Sequence, residues 1–273
     1  MTSDYLIEEA SNRRVGTRVT GRVDARSSRN RIAGLEVFLT RLPGRDPAAV
    51  AGRTFVLVHG IGVSSWYFQP LAAELSKIGN VCLIDLPGYG RSPNPRRTVS
   101  IEKHAEVLAG ALVGERIHDP VLVGHSMGTQ VVSRLVVDHP EITDRLVLLA
   151  PTTNPVERTL GAQARHLLVD LTRESTKANV IVTVDYLFRC GIPYYLSQVP
   201  NLLEDHIEDR LAMVRAKTLV VRGNRDPIVP REWANQVAAL IPNAVSREVS
   251  GPHVIMHSDP VGTAKLIVEH VQP

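Results

Sequence analysis

Short, continuously apolar runs alternate with longer stretches of helical period along most of this chain. Phe55–His59, Val81–Asp85, Val121–Gly124, Arg145–Ala150, Thr218–Arg222 and Val245–Val249 read as strands. Helical spacing predicts helices near Ser65–Lys77, Val99–Val113, Met127–His139, Pro230–Leu240 and Pro260–Val271. Strands that are apolar at consecutive positions have both faces covered, so the alternation predicts a parallel sheet with helices on both sides. Its crossovers are expected to be right-handed. Ahead of it, Thr17–Arg26 and Leu35–Leu42 alternate apolar and polar positions and are expected to form an antiparallel edge pair, after a loose start over residues 1–14. Residues 152–210 break the rhythm. They offer no convincing core strand, although Asn179–Tyr186 is rich in β-branched residues.

Against this frame one pentapeptide has chemical meaning. Gly124-His125-Ser126-Met127-Gly128 follows the apolar run Pro120-Val121-Leu122-Val123 directly and opens a helix. A strand that turns into a helix through Gly-x-Ser-x-Gly projects its serine hydroxyl at the carboxyl edge of the sheet. The flanking glycines suit the close backbone approach of such an elbow.

Three further segments supply the other parts of an acyl-transfer site. Thr54-Phe55-Val56-Leu57-Val58-His59-Gly60-Ile61-Gly62 reads as a buried strand entering a turn of small residues. An oxyanion needs two convergent backbone N–H groups, and Ile61 and Met127 are the expected donors. Asp226, in Gly223-Asn224-Arg225-Asp226-Pro227, lies just past a strand end; its alternative role is a turn or cap residue. His253, in Ser250-Gly251-Pro252-His253, follows a short strand and is preferred as the base over His257, which falls one helical turn further on. A serine hydroxyl needs an imidazole to take its proton, and the imidazole needs a carboxylate to fix its tautomer. The chain order Ser126, Asp226, His253 is that of one architecture and differs from the chymotrypsin and subtilisin orders.

With these segments in view, the chain resembles the α/β-hydrolase superfamily, in its serine esterase and lipase-like branch. The matching pieces also include Asp85-Leu86-Pro87-Gly88-Tyr89-Gly90-Arg91-Ser92, and the resemblance spans roughly residues 35–270. It implies an α/β fold with a mostly parallel eight-stranded sheet, helices on both faces and a helical lid. The core domain is then 1–151 with 211–273, and the lid is 152–210. It implies Ser126 as nucleophile, His253 as base, Asp226 as orienting acid, and Ile61 and Met127 as oxyanion donors. Thr129 departs from the pattern, since many relatives carry a glycine there. A serine at the elbow also argues against haloalkane dehalogenase or epoxide hydrolase chemistry, which uses aspartate.

Composition changes this picture little. The chain has 273 residues, 44% of them hydrophobic, enough for a sizeable core. A formal net charge of +3 gives no reason to expect a nucleic-acid partner. The early arginines, Arg13 to Arg31, lack interleaved aromatics and read as a solvated tail and hairpin. Two cysteines, Cys82 and Cys190, suggest neither a disulfide nor a metal site. No apolar run is long enough to span a membrane, and the opening residues lack a signal-peptide core, so the expectation is a cytoplasmic protein. No cofactor is expected, and the oligomeric state is left open. Seven of the twelve aromatics sit at Trp66, Tyr67 and Phe68 or at Tyr186, Phe188, Tyr194 and Tyr195. Trp66, Tyr186, Phe188, Tyr194 and Tyr195 are the expected substrate pocket, although pinning the lid to the core is an equally good use for them.

The expected activity is hydrolysis of a carboxylic ester, or related acyl bond, of a small to medium apolar substrate through an acyl-enzyme. The same triad also serves thioesterases, lactonases, acyltransferases and carbon–carbon bond hydrolases. The last usually carry Gly-Asn-Ser at the elbow, where this chain has Gly-His-Ser. A ligand sensor that keeps the fold without turnover is the alternative from another class.

Overall fold

The structure, a computed structural model, describes residues 15–16 and 25–272. Within them, side chains are described except at 15–16, 162–164, 166–168, 171, 177, 178, 186 and 188. Nine strands are present: β1 Val15–Gly16, β2 Arg26–Ile32, β3 Leu35–Leu42, β4 Thr54–Val58, β5 Asn80–Asp85, β6 Val121–His125, β7 Arg145–Leu149, β8 Lys217–Gly223 and β9 Ala244–Val249. They form one sheet in the order β1-β2-β3-β5-β4-β6-β7-β8-β9. The pairs from β3·β5 outward to β1 are antiparallel, and the rest of the sheet is parallel. Eight strands have five or more residues, and the two-residue β1 extends the edge.

The helices are α1 Gln69–Leu75, α2 Ile101–Gly114, α3 Met127–Asp138, α4 Leu160–Arg173, α5 Thr176–Val184, α6 Ile192–Glu204, α7 Glu208–Leu211, α8 Arg231–Leu240, α9 Ile255–Ser258 and α10 Pro260–Val271. Alternate strand residues serve opposite faces. Val56, Val58, Leu122 and Leu148 pack with Leu108 of α2, Val132 of α3 and Trp233 of α8. Phe55, Leu57, Val123 and Leu149 pack with Leu71 of α1 and Ile267 of α10. Central strands apolar at every position are thus explained by cover on both sides. Local signals fix the helix starts: the Ser100 hydroxyl accepts from the Lys103 N–H (3.1 Å) ahead of α2. Asp259 accepts from the Gly262 N–H (2.9 Å), with Pro260 at the first position of α10.

The edge hairpin differs from the sequence expectation. β3 pairs with Arg26–Ile32; of the expected partner Thr17–Arg26, Arg26 pairs with Arg41 and residues 17–24 lie outside those described. Ala33 and Gly34, both at positive φ (48° and 79°), make the tight turn. β2 was illegible because its inward positions are polar. Ser28 and Asn30 donate to the Glu115 carboxylate at 2.5 and 2.9 Å, and Ser27 meets Thr40 at 3.3 Å. Asn179–Tyr186 is helical through α5 despite its β-branched residues, and no strand occurs between β7 and β8. No helix among the described residues is long and apolar enough to cross a membrane.

One core residue is chemically odd. His104 of α2 is fully buried, and neither ring nitrogen has a hydrogen-bond partner among the described residues. Burial, helped by nearby His59, pushes its pKa down to about 3. Above pH 6.5 the group is neutral folded and unfolded, so it imposes no penalty. As pH falls from 6.5 toward 3 only the unfolded chain takes the proton, and folding loses about 1.4 kcal/mol per pH unit. His104→Leu removes that loss. Urea midpoints should therefore shift in favour of the variant as pH drops from 6.5 to 4; a difference that stays constant with pH contradicts this.

Candidate active site

Ser126 sits between β6 and α3, at φ +54° and ψ −122°. L-residues rarely adopt this region, and its cost, of order 1–3 kcal/mol, persists only where the surroundings impose it. Two glycines allow it. A Cβ on Gly124 would lie 2.4 Å from the Gly128 carbonyl oxygen, and one on Gly128 would lie 2.2 Å from that of Val58. The Ser126 N–H donates to Leu149 O (3.0 Å). Its carbonyl accepts from the Thr129 hydroxyl (2.6 Å), so the residue that departs from the family pattern braces the elbow. Serine at a helix start ordinarily caps it. Here the Ser126 side chain makes no capping bond and lines a cavity of about 410 Å³ instead.

His253 lines the same cavity, on the loop between β9 and α9. Its Nδ1 lies 2.9 Å from Asp226 Oδ2. Asp226 is 5% exposed, and its other oxygen accepts from the Ile228 and Val229 amides at 2.8 and 3.0 Å. The carboxylate is therefore oriented by three bonds and fixes the ring with Nε2 uncommitted. No hydrogen bond joins the Ser126 hydroxyl to that ring in this geometry; such contacts commonly tighten only around a bound substrate. Burial lowers the His253 pKa, but the Asp226 charge and hydrogen bond outweigh it, Asp170 and Glu174 add to them, and the result is about 9. His257 lies in α9 and does not line the cavity.

Of the two residues expected at an oxyanion, Ile61 lines the cavity and Met127 directly follows Ser126. The Met127 N–H is the first of α3 and has no acceptor within the helix. The Gly60 N–H is taken by the Tyr67 hydroxyl (3.0 Å), and the next residue, Ile61, lines the cavity. The loop that holds Ile61 is braced by fully buried His59. Its Nδ1 is 2.8 Å from Gly60 O, and its Nε2 accepts from the Leu86 N–H (3.0 Å). Burial keeps this ring neutral by lowering its pKa.

Several residues here escaped the sequence reading. Tyr67 donates to His125 Nδ1 (2.7 Å), and His125 Nε2 donates to His253 O (3.1 Å), so the second residue of the elbow motif links two loops. From α4, Asp170 accepts from the His253 N–H (3.1 Å), and Glu174, just beyond it, accepts from the Val254 N–H (2.6 Å). Asp185, fully buried, accepts from the Ser64 N–H and hydroxyl at 2.8 and 2.7 Å. Two acids at i and i+4 on an otherwise mixed helix were the available signal for the first pair.

The expected pocket aromatics divide. Tyr195 lines the cavity. Tyr194 does not: it is 7% exposed, and its hydroxyl donates to Pro87 O (3.0 Å), so it pins the helical segment to the loop after β5. Trp66 also stands off the cavity, under the Arg189 guanidinium at 4.3 Å, because the 3₁₀ turn Ser65–Phe68 directs Tyr67 inward in its place. Tyr186 and Phe188 fall in the π-helical turn Asp185–Cys190, and their side chains lie outside those described. His206, Glu208 and Asp209, grouped closely enough to share a metal ion, do not line the cavity, and Glu208 is held by Arg158 (2.7 Å).

Comparison with known proteins identifies the family and the fold. Residues 55–266 match the sequence profile of the alpha/beta hydrolase family. The uncharacterized hydrolase YugF of Bacillus subtilis is 25% identical over 84% of this chain and 89% of its own length. The putative carbamate hydrolase RutD of Caulobacter segnis is 26% identical over 77% and 88%. The enol-lactonase of Burkholderia xenovorans superposes with a TM-score of 0.75 over 89% of this chain and 99% of its own, at 18% identity, a likeness of fold.

The electrostatics make a direct prediction. In an NMR titration the His253 ring should lose its proton well above pH 6.5, near 9. Asp170→Asn removes a negative charge that favours the imidazolium, so the midpoint should move down. A midpoint at or below 6.5, or one unmoved by the substitution, contradicts the assignment.

Proposed function

Since the chain belongs to the alpha/beta hydrolase family, we propose that it is a serine hydrolase that cleaves a carboxylic ester, or a related acyl bond, of a small to medium apolar substrate. The observation that supports this best is the strained Ser126, whose uncapped hydroxyl shares one cavity with the Asp226-bound ring of His253. The cavity walls of Val63, Leu160, Val182, Leu196, Val199 and Leu202 favour an apolar substrate body.

In this mechanism His253 Nε2 takes the Ser126 proton as the oxygen attacks the substrate carbonyl. The Asp226 carboxylate stabilises the imidazolium. The Ile61 and Met127 amides receive the oxyanion; loss of one such donor typically costs about 2.7–4 kcal/mol. His253 then gives its proton to the leaving alcohol, and an acyl-serine ester remains. Water, deprotonated by the same ring, attacks that ester and releases the acid and the free serine. The helical segment from 152 to 210 acts as a lid over this chemistry, and its bonds to the loops of Ser64, Pro87 and His253 hold the site closed on that side.

Hydrolysis of p-nitrophenyl esters from acetate to dodecanoate tests the proposal. Wild type should turn over, with an optimum chain length set by the cavity. Ser126→Ala should lose about 10⁴-fold or more in kcat and Asp226→Asn about 10⁴-fold. Ser126→Ala should keep the urea midpoint within error, since it forgoes no cap and no hydrogen bond. Wild-type levels of turnover in Ser126→Ala would overturn the scheme.

A further inference from the structure

The chemistry of the cavity wall is one-sided. Two carboxylates, Asp170 and Glu174, line it, and no lysine or arginine does so among the described residues. Both are anchored to the base loop, through the amides of His253 and Val254. On the mechanism proposed above His253 delivers its proton to the leaving oxygen, and the two acids, bonded to the loop that carries it, are assigned to the leaving-group side on that ground. Their satisfaction is incomplete. Glu174 uses Oε1 for Val254, and its Oε2 is buried without a hydrogen-bond partner among the described residues.

A second group points the same way. Thr152, 4% exposed, lines the cavity, and its Oγ1 has no partner among the described residues. A buried carboxylate oxygen and a buried hydroxyl without partners each cost free energy that a ligand can recover. Tyr195 adds an aromatic face on the same cavity, a surface that attracts cations. The surrounding apolar walls suit alkyl substituents rather than a bare, strongly hydrated ion.

On the ester-hydrolase reading above, we propose that the leaving-group side of the cavity selects a cationic alcohol, an alkylammonium group carried on the departing oxygen, with Glu174 as the specificity-determining carboxylate. A negative charge at that place would meet two carboxylates, and the one cation on the wall, the His253 ring, is already paired with Asp226. Anionic leaving groups are therefore excluded by the same wall. Burial, opposed by the Val254 amide, pushes the Glu174 pKa up to about 7, so the carboxylate is charged at pH 8.

The test needs no turnover. Butyrylcholine and 3,3-dimethylbutyl butyrate share one shape and differ by a single charge. Their affinities for Ser126→Ala are measured by calorimetric titration at pH 8. The cation should bind at least about tenfold more tightly, the direction set by a carboxylate in a low-dielectric wall. Adding Glu174→Gln should bring that ratio close to one. Glutamine keeps the oxygen that accepts from Val254, so the loop retains its anchor. Equal or weaker binding of the cation, binding of neither ester, or a preference unchanged by Glu174→Gln would overturn the proposal. Failure of the ester-hydrolase reading is read separately, from the wild type on p-nitrophenyl esters.

Discussion

One line of three hydrogen bonds runs from the Gly60 N–H through the Tyr67 hydroxyl and the His125 ring to the His253 carbonyl, at 3.0, 2.7 and 3.1 Å. Its direction is forced. An amide N–H can only donate and a carbonyl can only accept, so Tyr67 must donate to Nδ1 of His125, and His125 must carry its proton on Nε2. Burial keeps both middle groups neutral, lowering the His125 pKa and raising that of Tyr67. The line joins the loop after β4, the end of β6 and the loop after β9. Those are the three places that carry Ile61, Ser126 and His253. Removing a link leaves a buried polar group unpaired, a cost of about 1–3 kcal/mol, which makes the relative position of the three loops a property of the fold rather than of the ligand.

The remaining supports act on two of these loops and on the loop after β5. Asp185 holds the Ser64 turn, Tyr194 holds the loop at Pro87, and Asp170 with Glu174 holds the histidine loop. The helical segment is thus bonded to the loops after β4, β5 and β9. The acids that anchor it also set the electrostatic character of the site. They raise the His253 pKa, and the only cation they leave among the cavity's described lining residues is the His253 ring itself, already paired with Asp226. Anchoring and substrate discrimination are consequently two effects of the same side chains.

Much of this was legible in the sequence, for physical reasons. Central parallel strands must be apolar at every position, so β4 to β8 stand out, and the Gly-x-Ser-x-Gly turn fixes the elbow because Gly124 and Gly128 leave no room for a Cβ. Asp226 and His253 could be paired only because chain order restricts which strand ends adjoin the elbow. Other features left no such trace. β2 is held by buried polar contacts to Glu115 instead of by hydrophobic alternation. Tyr67 replaces Trp66 at the cavity because a single 3₁₀ turn sets which aromatic faces inward. Asp170 and Glu174 look like ordinary surface acids until tertiary packing brings α4 over the histidine loop.

The claim on which the rest depends is that Ser126 is a hydroxyl activated by His253. Reaction with a fluorophosphonate probe at about pH 9.5, above the His253 pKa of about 9, followed by peptide mass mapping, tests it directly. A single adduct on Ser126, formed much more slowly in Asp226→Asn, is the result this account predicts. No adduct, or an adduct on another serine that persists in Ser126→Ala, would contradict it.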